Sequence, residues 1–140
     1  MTLTEALQDH VFRIAEKLQL PCSFPGEAFI TPAGPYLRCS IGSMTNKAAG
    51  LGKHGPARID GSLNLTLETL AGKGLDEASC LAAKVSACFP YGAGLDYSGP
   101  EGDGEIIFSA PKIAQPETDS GRVKIHISIG FYAILFPKEK

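Results

Sequence analysis

The chain has 140 residues, 44% of them hydrophobic and 20% charged, with a formal charge of −2 at pH 7. This length suits a single domain over residues 1–140, able to bury roughly 68–70% of its unfolded surface without a disulfide or metal to hold it. The weak negative charge excludes a broadly basic nucleic-acid binder, and the absence of any run of about 18 apolar residues excludes a helical membrane span.

The first residues, MTLTEALQDH, carry acids and no apolar run, so no leader is expected and the cytosol is the expected compartment. From Thr4 to Leu20 the spacing of Leu3, Leu7, Val11, Ile14 and Leu18 predicts an amphipathic helix. Thr2 or Thr4 is placed to cap it, and Pro21 to end it. Prolines 21, 25, 32 and 35 then separate a short strand at Glu27–Thr31 from a second at Tyr36–Ile41.

The next stretch, "GSMTNKAAGLGKHGP" (Gly42–Pro56), reads as a long basic loop. Its glycines make ordering costly, at roughly 1–2 kcal/mol per residue fixed. Met44 and Leu51 are its only large apolar anchors. The loop is therefore expected to vary in a lone subunit and to order when Leu51 and the flanking lysines dock on a neighbour.

Arg58–Leu70 alternates cleanly, with Ile59, Leu63, Leu65 and Leu67 on one face and Asp60, Ser62, Asn64, Thr66 and Glu68 on the other. Leu75–Phe89 predicts a second helix, with acids in its first turn and small residues for close approach to a sheet. Leu95–Ser98 and Ile106–Ile113 read as strands, Gln115–Gly121 as a loop, and Arg122–Phe136 as a long alternating strand. Fifteen residues are long for a strand, so a bend near Gly130 or an extension beyond the sheet is expected. Arg122, Lys124 and His126 oppose the acids of Arg58–Leu70 in sign, so the two long strands are expected to be neighbours. The expected fold is α+β in two layers: a mixed, mostly antiparallel sheet with two helices packed on one face.

No catalytic constellation emerges. "GLGKHG" lacks the G-x-x-x-x-G-K-[ST] spacing and precedes a strand, so it does not cradle phosphate. His10, His54 and His126 have no placed partner and read as surface histidines. The acids of "DYSGPEGDGE" do not follow the EF-hand spacing. Cys22, Cys39, Cys80 and Cys88 form no C-x-x-C pair and read as buried or half-buried thiols. No cofactor, no metal and no enzymatic activity are expected.

Charge is the remaining signal. Residues 28–59 hold four bases and no acid, and residues 91–121 hold six acids and one base. The bland reading is solvated surface; the sharper one is two complementary patches. On the sharper reading the contact residues are Lys47, Leu51, Lys53, His54 and Arg58 on one side and Glu101, Asp103 and Glu105 on the other.

"FITPAGPYLRCSI" (Phe29–Ile41) resembles the phage tail terminator family, related to the lambda tail terminator. "GSLNLTLET" (Gly61–Thr69), "GKGLDEASCLAAKVSACFPYG" (Gly72–Gly92) and "GRVKIHISIGFYAI" (Gly121–Ile134) resemble that family's later elements in order. The departure is the long Gly42–Pro56 loop, where contacts do not transfer. The resemblance implies a non-enzymatic virion protein of the tail, assembled in the host bacterial cytoplasm. It implies a homo-oligomeric ring, typically a hexamer, on the end of the tail tube, with tail tube protein and head–tail connector proteins as partners. The ring stops tube growth and presents a head-joining surface, and DNA passes through without specific binding. The alternatives are a neck or head-completion protein or, in another class, a small cytosolic ligand-binding domain or enzyme.

Overall fold

The computed structural model describes residues 1–48, 55–70, 75–89, 92, 94–119 and 121–137. Helix α1 spans Leu3–Lys17, because Thr2 caps it through a reciprocal box with Glu5. It stops before Pro21. Gln19 adopts a left-handed conformation (φ 58°), and the Leu20 and Gln19 amides close on Ala15 and Glu16, a Schellman turn made without glycine.

A curled sheet follows, in the order β1-β2-β4-β9-β6-β5. β1 is Cys22–Ser23, β2 Tyr36–Ile41, β3 Thr45–Ala48 and β4 Ala57–Leu70. Helix α2 is Leu75–Ala87, and β5 Gly94–Gly99, β6 Gly102–Phe108, β7 Lys112–Ile113, β8 Glu117–Asp119 and β9 Arg122–Phe136 complete the set. β1 joins β2 in parallel and all other pairs are antiparallel. The expected α+β fold, with a mixed and mostly antiparallel sheet, is the fold observed.

The two long strands are neighbours over their whole length, from Ala57↔Leu135 to Leu70↔Arg122. β9 needs no extension beyond the sheet, because β8, β7 and β6 share its other edge in succession. Leu63, Leu65, Leu67, Ile125, Ile127 and Ile129 bury one face of this pair against Leu3, Leu7 and Val11 of α1 and Ala78, Ala82 and Val85 of α2. Gly61 breaks the run of large inward residues because the Phe131 ring fills its place: an added Cβ would sit 2.7 Å from that ring.

Four local expectations change. Glu27–Thr31 is no strand; with prolines on both sides it makes no ladder, and Phe29 packs on Tyr36 instead. Thr45–Ala48, expected as loop, pairs with β4 as β3. Ile106–Ile113 is two strands, since Pro111 lies between β6 and β7 and cannot donate. Part of Gln115–Gly121, expected as loop, is β8.

Candidate functional site

Because β-strand side chains alternate, the register decides which charges meet on the outer face, away from the helices. Lys47 pairs with Arg58, Arg58 with Ile134, Ile134 with Glu105, and Glu105 with Asp96. These five residues form one row across five strands, basic at the β3 edge, apolar in the middle and acidic at the β5 edge. At about 4.8 Å per strand the ends stand roughly 19 Å apart.

The basic end is smaller than the sequence suggested. Two of the four bases in residues 28–59 are held by carboxylates just beyond that segment. Arg38 Nε lies 2.6 Å from Glu68 Oε2, and Glu68 is only 3% exposed. Arg58 Nε donates to both Asp60 oxygens at 3.1 Å, and its guanidinium lies 4.4 Å from the centre of the Tyr132 ring. The hydrogen bond from Arg58 holds the half-buried Asp60 carboxyl below the usual range. Lys47 is exposed and makes no ion pair among the described residues. Leu51, Lys53 and His54 lie outside the described residues.

The acidic end divides as well. Glu101, expected in the patch, faces the start of α1: its Oε2 accepts the Leu3 amide at 3.1 Å, and its Oε1 meets the Tyr97 hydroxyl. Burial pushes the Glu101 carboxyl up, but the Tyr97 and Leu3 bonds outweigh it and hold the group below its ordinary value. That hydroxyl also lies 3.0 Å from the Met1 carbonyl, so Tyr97 and Glu101 tie the N-terminus to the β5–β6 turn. Asp103 Oδ1 accepts from Ser98 Oγ at 2.6 Å on the outer face. Asp96 and Glu105 are exposed and directly opposite each other, a like-charge pair that disfavours the isolated sheet. Asp96, missed as a contact residue from sequence, was legible there once β5 and β6 were paired in register.

Between the two ends lies a groove of about 430 Å³, floored by Gly104, Ile107 and Tyr132 and flanked by Asp96, Glu105 and Phe136. Phe136 is 57% exposed and Ile134 36%. Gly104 is required for this shape, since an added Cβ would lie 2.2 Å from the Ile134 carbonyl.

The histidines also settle into place. His10 is half-buried rather than fully on the surface: it stacks on Phe108 and meets Phe89 edge-on, and burial, then Arg13, lowers its pKa. His126 Nδ1 lies 3.1 Å from Thr66 Oγ1, with Glu117 at 3.6 Å from Nε2. Cys39 is buried and Cys22 and Cys88 half-buried, as expected, but Cys80 is exposed. Among the described residues no three of His, Cys, Asp and Glu converge as metal ligands, and no helix is long and apolar enough to cross a membrane.

The outer face thus carries opposed charge at two sheet edges, with an apolar strip between them. The sequence matches the family described as phage tail terminator protein over residues 2–131, and the chain belongs to that family of structural, non-enzymatic tail proteins. A solved structure is similar at 25% identity, with a TM-score of 0.63, covering 94% of this chain and 98% of the other. No curated protein matches.

Proposed function

We propose that the protein forms a ring on the end of the phage tail tube, where it stops polymerisation and offers the surface to which the head joins. The observation that carries this reading is the charge order along the row from Lys47 to Asp96, set beside the family membership. A ring requires two different patches on each subunit that meet their complements on the next. The row supplies a cation at one edge and an unrelieved pair of carboxylates at the other. Contact between them in successive copies relieves the Asp96–Glu105 repulsion and covers the Ile134–Phe136 strip. A hexamer is the ring expected for this family, with tail tube protein below it, head–tail connector proteins above it and DNA passing through. A protein of net charge −2 suits that passage, because a strongly basic lumen would hold phosphates.

Sedimentation of the chain alone and with tail tube protein tests this reading. Rings that cap tubes, weaken with rising salt and diminish on reversing Lys47 and Lys53 are the expected result. A monomer that leaves tube length unchanged overturns it.

A further inference from the structure

The helical layer, opposite the charged row, carries a second feature. His10 of α1 lies against Phe89, just past the end of α2, whereas Leu18 at the end of α1 shares a depression with Glu77 and Cys80 from the first half of α2. The helices therefore run in opposite directions, and a groove remains between them. It consists of two depressions, of about 560 and 380 Å³, which share Leu18 and Lys84. Ile14, Leu18 and Leu81 supply apolar surface within it, and Leu18 and Leu81 are half-buried.

Its rim is basic. Arg13 is held by Asp9 at 3.1 Å, but Lys17 and Lys84 make no ion pair among the described residues. Among the described residues the sole carboxylate lining either depression is Glu77, at the far end. Each lysine sits in the last turn of its helix, where a cation offsets the dipole. The dipole accounts for each lysine separately. It does not account for their facing one groove from its two sides.

We propose that this groove docks an acidic, amphipathic segment of another protein, with apolar side chains on Leu18 and Leu81 and carboxylates at Lys17 and Lys84. Helix-in-groove recognition joins an apolar floor to charged flanks in this way. That apolar surface favours a peptide over DNA, whose phosphates would leave Leu18 and Leu81 unused. The surface is separate from the charged row, so the proposal does not depend on ring formation.

The test is fluorescence anisotropy on the full chain. The probe is a fluorescein-labelled peptide of about 14 residues, with Leu at helical spacing and Glu between them. Saturable binding is expected with a Kd well below about 1 mM. Lys17→Glu with Lys84→Glu should weaken it about tenfold, Lys17→Gln with Lys84→Gln by less, and Lys112→Glu, at an exposed site on β7, not at all. Bound peptide should also slow alkylation of the exposed Cys80, read site by site by mass spectrometry. Equal binding of a copy with Gln for every Glu overturns the proposal, as does indifference to both lysine pairs. A short DNA duplex that binds more tightly than the peptide, and is lost in the same variants, also overturns it and makes the groove a phosphate surface.

Discussion

Glu105→Gln should move monomer stability and assembly in opposite directions. Glu105 and Asp96 are directly opposed on β6 and β5. Cross-strand neighbours have Cβ atoms about 4.5–5.5 Å apart, and a like-charged pair at that spacing costs roughly 0.2–1 kcal/mol. Removing one charge should therefore stabilise the lone subunit by that amount and raise its melting temperature by about 1–4 °C. The same change removes half of the acidic end that a neighbour's Lys47 would meet. Exposed ion pairs contribute about 0.2–1 kcal/mol, so each contact should weaken up to about fivefold. Each subunit in a closed ring makes two such contacts, so the ring population should fall further. Thermal melting at low concentration and high salt reads the first effect, and sedimentation at low salt the second. The exchange variant, Lys47→Glu with Glu105→Lys, should recover rings that either reversal alone loses. A melting temperature lowered by Glu105→Gln, or an exchange that restores nothing, refutes the assignment of the row as the subunit contact.

Three further outcomes follow from groups away from the row. Glu101 has a depressed folded-state pKa, so its contribution is present above the ordinary value of 4.5 and is lost as pH falls through that range. Glu101→Gln should cost about 1–2 kcal/mol at pH 7, the site being open to water, and the cost should shrink as pH falls below 4.5, read by urea titrations across that range. The His10 pKa is depressed from 6.5 by burial, so the neutral ring is favoured in the fold and stability declines as pH drops below 6.5. His10→Phe should flatten that part of the stability–pH curve measured by denaturant melts. Burial raises the Cys39 and Cys22 thiols to about 11 and about 12, so alkylation near pH 8, followed by mass spectrometry, should modify Cys80 first and those two last.

Periodicity made the helices and both long strands legible, because one face of each is buried against a single core. The inward set Ile59, Leu63, Leu65 and Leu67 is the same in sequence and structure. Short elements were illegible for a physical reason: β1, β3, β7 and β8 have two to four residues, too few to show a period, and exist because a longer strand offers them an edge. The charged segments were legible, but their net effect was not. Counting bases in residues 28–59 stopped just short of Asp60 and Glu68, the carboxylates that neutralise Arg58 and Arg38. Glu101 failed for a related reason. Its partners, Leu3 and Tyr97, lie on the first helix and the preceding strand, and only the tertiary fold brings the N-terminus to the β5–β6 turn. The Gly42–Pro56 stretch divides in the same way: Thr45–Ala48 takes its order from the edge of β4, which no local pattern announces.

The length of β9 connects these observations to assembly. A strand of 15 residues, paired without interruption to one of 14, forms a stiff axis. The basic edge is fixed to that axis through β4, and the acidic edge through β6. Neither edge moves relative to the other without breaking ladder hydrogen bonds that the core of Ile125, Ile127, Ile129 and Phe131 locks in register. Two contact patches on opposite edges of one rigid body fix the rotation between successive copies, and a fixed rotation is what separates a closed ring from an open filament. On the proposed reading, ring size is then a property of the sheet's curl between β3 and β5 rather than of the charges themselves. Charge substitutions at Lys47, Asp96 or Glu105 should change how many rings form while leaving the number of subunits per ring unchanged. Native mass spectrometry of the surviving rings checks this, and a ring whose subunit number shifts with Glu105→Gln would show that the charges, not the sheet, set the angle.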